Sequence, residues 1–369
     1  MYDAYKALYL HIPFCKQRCI YCDFETQALP HGDAAITAYI DSLIEEIRHA
    51  AKDGKLAEIE TVYLGGGTPS YVGGKNLSAL LYALSVSMHL TSDVECSMEA
   101  NPESLTEALV KDVWALGVNR LSLGVQSFDD ALLKKLGRVH SADDARRAID
   151  TAQKRFDNVS IDLMCGIPEQ TFEDFHESLK IALDLGVKHV SVYPLTVEEG
   201  TPLAKMQAKG EIEEVDQDFQ ALMMQMAASI LEPAGLLRYE VASYALPGYE
   251  CKHNLAYWTG KPYIGLGTSA VTMTQNASKR MRTQDGGVID ELDRRQMAAE
   301  DLMLAMRTTQ GITEDELREV TLLLPDAPLV FRELAQKGFV ERIDERYQPT
   351  LAGWLCGNEM YGKIIDMAP

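Results

Sequence analysis

The stretch His11-Ile12-Pro13-Phe14-Cys15-Lys16-Gln17-Arg18-Cys19-Ile20-Tyr21-Cys22-Asp23-Phe24 holds three of the chain's seven cysteines, spaced C-x3-C-x2-C. The run before them, Ala7-Leu8-Tyr9-Leu10-His11-Ile12, is apolar and β-prone, so the cysteines fall on the loop after a short strand. Three thiolates on one tight loop suit an iron–sulfur cluster, whose irons are held by cysteine sulfur. Three ligands leave one iron of a four-iron cubane open to a small chelating molecule; simple electron storage is expected to use a fourth cysteine. A structural zinc site wants four ligands. Here only Cys19 and Cys22 make a C-x2-C pair, and His11, the other nearby donor, lies on the strand. A disulfide does not suit a chain without a secretory segment, and inert buried thiols do not suit a loop carrying Lys16, Gln17 and Arg18.

The composition is that of a soluble globular protein: 369 residues, 46% hydrophobic and 24% charged. The length allows two or three domains. No apolar run approaches the ~20 residues of a membrane span. Met1-Tyr2-Asp3-Ala4-Tyr5-Lys6 lacks the basic-then-apolar pattern of a signal peptide, so a cytoplasmic location is expected. A net charge of −20 disfavours non-specific nucleic-acid binding.

Outward from the cysteines, short β-prone runs alternate with amphipathic helices. The strands are Thr61-Val62-Tyr63-Leu64, Val94 to Ala100, Asn119 to Val125, Val159 to Met164 and His189 to Tyr193, which with the first make six. Helical spacing marks residues 34–51, 77–88 and 105–116. Ser141 with Asp143 and Asp144 starts another helix, and Thr171 with Asp174 opens the next as a capping box. This alternation predicts a parallel sheet, and the count an incomplete (β/α)6 TIM-type barrel. The site of such a barrel lies at the C-terminal ends of its strands. There stand the cysteines, Gly65-Gly66-Gly67-Thr68-Pro69, Glu99, Gln126 and Asp162, with Arg138 just beyond. Each alone is weak; their agreement on one rim is informative.

With these residues assembled, the chain resembles the radical S-adenosylmethionine (SAM) proteins. More narrowly, it resembles the HemN/HemW branch of oxygen-independent coproporphyrinogen III oxidases and related heme chaperones, over nearly its whole length. The resemblance implies a 4Fe-4S cluster on Cys15, Cys19 and Cys22. It implies SAM contacts from Tyr9, Gly66, Gly67, Thr68, Glu99, Gln126, Arg138 and Asp162. Glycines let a backbone approach a ligand closely, and arginine grips a carboxylate as a fork. Two departures separate the chain from the oxidases. Phe24 stands where they carry a further cysteine, and their N-terminal extension is missing before Cys15. Both point to a heme chaperone and away from coproporphyrinogen oxidation, leaving SAM cleavage open.

The segment His253-Asn254-Leu255-Ala256-Tyr257-Trp258 is similar to the H-N-x-x-Y-W sequence that the chaperones use for heme. His253, Tyr257 and Trp258 are therefore the expected heme residues, with Cys251 a second candidate ligand. Val271 replaces a histidine that the family tends to carry after Gly267. The implied partners are heme, a heme-accepting protein and, if SAM is cleaved, an electron donor such as flavodoxin or ferredoxin. Peripheral membrane association and a homodimer are compatible with the resemblance.

The expected division is a partial barrel over residues 1–205, a connecting, heme-associated region over 206–299, and a winged-helix-like C-terminal domain over 300–369. The last reads as helices followed by a hairpin, acidic enough to argue against DNA, and is expected to cap the barrel mouth or offer a docking surface.

Overall fold

The computed structural model describes residues 2–88, 93–213 and 216–369. Six parallel strands follow one another in space as in sequence: β1 (Ala7–Ile12), β2 (Thr61–Gly66), β3 (Glu95–Ala100), β4 (Arg120–Gln126), β5 (Asn158–Cys165) and β6 (His189–Pro194). Most of their side chains are buried, as expected of a parallel sheet covered on both faces. Helix α1 (Ala34–Lys52) lays Ile36, Ile40, Leu43, Ile44 and Ile47 on that sheet. The capping boxes predicted from Ser141 and Thr171 are both formed, with Asp144 and Asp174. They fix the starts of the helices after β4 and β5.

The sheet extends beyond these six strands. Tyr263–Leu266 pairs in parallel on the free side of β1, and three antiparallel strands, Val271–Gln275, Lys279–Gln284 and Gly287–Asp293, continue outward. On the other side, Ser243–Ala245 pairs antiparallel with β6, followed by Leu237–Arg238. Among the described residues the two outer edges do not meet, so the barrel is open.

The C-terminal part runs helix, strand, two helices, hairpin. Arg294–Ala305 is followed by Ile312–Thr313, Glu314–Val320, Ala327–Gln336, Val340–Ile343 and Arg346–Pro349. The three short strands form one sheet, with the winged-helix order. Two further helices, Leu351–Leu355 and Gly357–Ile365, pack back onto it. Its core, around Leu302, Met306, Phe331, Leu334 and Met360, is a cluster separate from that of the barrel. It joins the barrel along the outer antiparallel edge: Val241 N donates to Arg307 O and Thr309 N to Tyr239 O. None of its residues lines the mouth above the cysteines, which differs from the expected cap. The mouth is instead bounded by the cysteine loop and by Tyr193, Pro194, Leu195, Thr196 and Glu198, at the end of β6 and just beyond it. No helix is long and apolar enough to cross a membrane, among the described residues.

Candidate cluster and ligand site

The cysteine loop is held from several sides. Phe14–Cys15 pairs with Gln27–Ala28. Gln17 Nε2 donates to Gly137 O at 3.1 Å, Ile20 N to Leu136 O, and Arg18 Nη2 to Cys22 O at 3.2 Å. Cys15, Cys19 and Cys22 are half-buried, unpaired, and line one cavity of about 390 Å³. Thr68 Oγ1 donates to Cys15 Sγ, and Arg138 Nη1 to Cys19 Sγ, each at 3.5 Å. No three His, Cys, Asp or Glu side chains among the described residues converge as a single-ion site. The donor set therefore suits a cluster, in which each sulfur meets its own iron, better than one zinc. His11, weighed as a zinc ligand, has both ring nitrogens engaged, with Tyr9 Oη at 3.1 Å and Glu25 O at 2.9 Å.

The glycine turn after β2 threads beneath the start of this loop. Gly66 has φ +111°, and a Cβ there would fall 2.6 Å from the His11 ring. A Cβ on Gly67 would fall 2.8 Å from Phe14 O. Gly67 N and Thr68 N donate to Ile12 O and Phe14 O. The glycines thus have a packing role apart from any ligand.

Of the other expected residues, Gly66, Gly67, Thr68, Glu99, Gln126, Arg138 and Asp162 all line the same cavity. Glu99 accepts from Tyr63 Oη at 3.0 Å and Gly66 N at 3.1 Å. Burial, then the neighbouring Asp162 charge, pushes its carboxyl up to about 7. Burial likewise raises Asp162 to about 6, against the pull of Arg120. Two carboxyls held near neutrality in a cavity are poised for a cationic ligand. Gln126 takes φ +68° at the irregularity where β4 slips against β5, which turns it into the cavity. Arg138 Nη2 donates to Asn101 Oδ1 at 2.7 Å and Gly124 O at 2.5 Å. Tyr9 is set apart. It lies against Tyr63 and His11, behind the lining of the cavity.

Asn101, directly after the strand ending at Ala100, is not among the expected site residues. Its Nδ2 donates to Thr68 Oγ1 at 2.9 Å while its Oδ1 holds Arg138, so it ties the second, third and fourth strand ends together. Its position at a strand C-terminus was the available signal. Phe24 is 64% exposed and sits at the cavity edge.

The heme expectation fares differently. His253 lies on the helix Lys252–Trp258 at the opposite end of β2, bonded to Thr61 Oγ1 through Nδ1 at 2.9 Å and to Tyr257 Oη through Nε2 at 3.0 Å. Thr61 and Gly66 are the two ends of that strand, roughly 16 Å apart at the usual rise per residue. His253 is 1% exposed, stacks on Tyr63, and does not line the cavity above the cysteines. Burial lowers it to about 3, so the ring is neutral. As placed, neither nitrogen is free for iron. Cys251 is also fully buried, its thiol against Glu95 Oε1 at 3.6 Å. Glu95 further accepts from Lys252 N and His253 N, docking the helix on the barrel floor. Of the three expected heme residues, Trp258 lines a second cavity of about 810 Å³, and His253 and Tyr257 do not line it. Val271 lines neither cavity.

An open parallel barrel with a three-cysteine loop at its rim is the architecture of a radical SAM protein, and the Radical SAM superfamily profile matches residues 9–182. Proteins of this superfamily carry a 4Fe-4S cluster and SAM. The chain belongs to the HemW family. It is 34% identical to the heme chaperone HemW of Bacillus subtilis (strain 168), over 98% of this chain and 99% of that protein. It is 38% identical to the heme chaperone HemW of Escherichia coli (strain K12), over 72% of this chain and 69% of that one. Its fold matches the structure of E. coli coproporphyrinogen III oxidase (HemN), a radical SAM enzyme, with a TM-score of 0.80 at 20% identity, covering 98% of this chain and 90% of that one.

Proposed function

We propose that this chain is a cytoplasmic heme carrier, which binds heme and hands it to an acceptor protein while holding a 4Fe-4S cluster and SAM in the barrel. The observation that carries this reading is the likeness to a heme chaperone over 98% of the chain. We assign Cys15, Cys19 and Cys22 to the cluster, with Thr68 and Arg138 donating to the sulfurs. The cluster, when bound, supplies an open iron that a chelating ligand can occupy. Glu99 and Asp162 suit the ammonium and ribose hydroxyls of SAM, and the Gly66–Gly67 backbone suits its methionine part. Asn101 keeps Arg138 aimed at the cavity. In this reading residues 1–205 form the cluster unit, 206–299 the heme-associated region and 300–369 the C-terminal unit. Trp258 is retained as a heme contact; His253 and Tyr257 become anchors of its helix.

The test is an anaerobic titration of hemin into reconstituted protein, followed by mixing with an apo-hemoprotein. A saturable Soret shift that then moves to the acceptor is expected. Porphyrinogen decarboxylation with 5′-deoxyadenosine release, and no Soret shift, would overturn the reading in favour of a coproporphyrinogen oxidase.

A further inference from the structure

The second cavity lies across the segment 193–196 from the cluster cavity, and Tyr193, Pro194, Leu195 and Thr196 line both. Its volume, about 810 Å³, is ample for one flat cofactor-sized ligand, whose pockets run to ~300–1,000 Å³. One wall comes from the barrel edge and the Lys252–Trp258 helix, the other from the C-terminal part. The H-N-x-x-Y-W helix therefore has two working faces at helical spacing. His253 and Tyr257 point to the barrel floor; Asn254 and Trp258 face the second cavity.

Two arginines line this cavity, one from each wall. Arg238 is 7% exposed, with its guanidinium over the rings of Tyr244 and Trp354 at 4.8 and 4.7 Å. Arg307 lies over Trp258 and Tyr361 at 5.1 and 4.6 Å. Neither makes an ion pair among the described residues. Arg280 and Arg282, by contrast, are both bridged by Glu300. The one acid in the lining, Glu240, is 2% exposed, and burial raises its pKa toward the neutral form. The Trp258 indole N–H faces that carboxyl without meeting hydrogen-bond geometry. Arg238 Nη2 donates to Tyr244 Oη and Arg307 Nε to Met303 Sδ; with stacking on the aromatic faces these bonds fix each guanidinium plane and leave its remaining N–H donors for a carboxylate.

We infer that this cavity is the binding site of a planar, dicarboxylate tetrapyrrole, with the ring against Trp258 and Trp354 and one carboxylate on each of Arg238 and Arg307. The identification of the ligand as a tetrapyrrole rests on the heme-carrier reading; the charge and flatness of the ligand do not. No histidine or cysteine lines the cavity, and Met224 is its soft donor. Recognition therefore falls on the carboxylates rather than on the metal. Placement beside the segment shared with the cluster cavity would let one loop sense both occupants.

The test uses the reconstituted full chain and three probes: hemin, iron-free protoporphyrin IX and its dimethyl ester. The free acid is expected to bind like hemin and the ester roughly tenfold or more weaker, the size of a lost charge-assisted hydrogen bond. Arg307→Gln and Arg238→Gln should each weaken hemin and the free acid by a similar factor, with Arg307→Lys restoring part of it. Iron content and the melting temperature report whether Arg238→Gln, at a buried position, still folds; if it does not, Arg307→Gln carries the test. Equal affinity of Arg307→Gln and the wild type, or of acid and ester, overturns the cavity assignment while leaving heme carriage standing. Binding of protoporphyrin but not of hemin overturns heme carriage while leaving the cavity.

Discussion

The two ends of strand β2 carry similar polar groups in opposite states. At the Thr61 end the network is close to complete: His253 uses both ring nitrogens, Glu95 accepts from Lys252 N, His253 N and Cys251 Sγ, and Arg120 Nε is left without a partner. At the Gly66 end the groups are gathered but not fully matched. Two buried carboxyls sit above their ordinary pKa, three thiols face one cavity, and an arginine donates to sulfur. A closed polar network makes a scaffold. One held short of closure makes a place for a ligand. By the same measure the second cavity, whose two arginines make no ion pair among the described residues, belongs with the Gly66 end.

The largest contrast is expected between cysteines. Cys19→Ser should bring iron and sulfide in reconstituted protein to background, whereas Cys251→Ser, on the floor, should leave both unchanged. Equal loss in both would erase the distinction. Next comes the pH response of the rim. Glu99 is raised from its ordinary 4.5 to about 7. The folded protein thus keeps a proton that the unfolded chain releases, and stability falls as pH rises from 4.5 to 7. Glu99→Gln should flatten that fall, which for the SAM-free protein amounts to up to ~3 kcal/mol. Denaturant melts at pH 5 and pH 8 decide it, and an undiminished slope in the variant counts against it.

On the floor, His253→Ala strips Thr61 and Tyr257 of their buried partner. It should cost about 1–3 kcal/mol, read as a lower denaturation midpoint, with the cluster retained. The smallest effect is expected at Phe24, 64% exposed at the cavity edge. Phe24→Ala should change stability by less than about 0.5 kcal/mol, and a larger drop in a thermal melt would mean that the ring packs rather than faces the cavity.

The barrel was legible because its signals are local and redundant. Each strand is a run of apolar residues, each helix has an apolar stripe, and Ser141 and Thr171 announce their caps. The rim followed from one rule about strand ends, applied to Glu99, Gln126 and Asp162. The outer strands were not legible. Gly287–Asp293 is exposed along nearly its whole length, so no alternation of apolar and polar residues marks it. Tyr263–Leu266 is four residues long and pairs with a strand more than 250 positions earlier. For His253, a motif names residue types, not directions. Spacing of four puts His253 with Tyr257 and Asn254 with Trp258, but which pair faces a cavity depends on Glu95 and Thr61, far away in sequence.

The central claim, that heme sits in the second cavity beside the cluster rather than on His253, is tested most directly by titrating hemin into three reconstituted proteins side by side: wild type, His253→Gln, and the double variant Arg238→Gln/Arg307→Gln. The account predicts matching saturable Soret titrations for the wild type and His253→Gln, and a loss of affinity of roughly a hundredfold in the double variant. Loss of the Soret shift in His253→Gln, with the arginine variant binding as the wild type does, would contradict it.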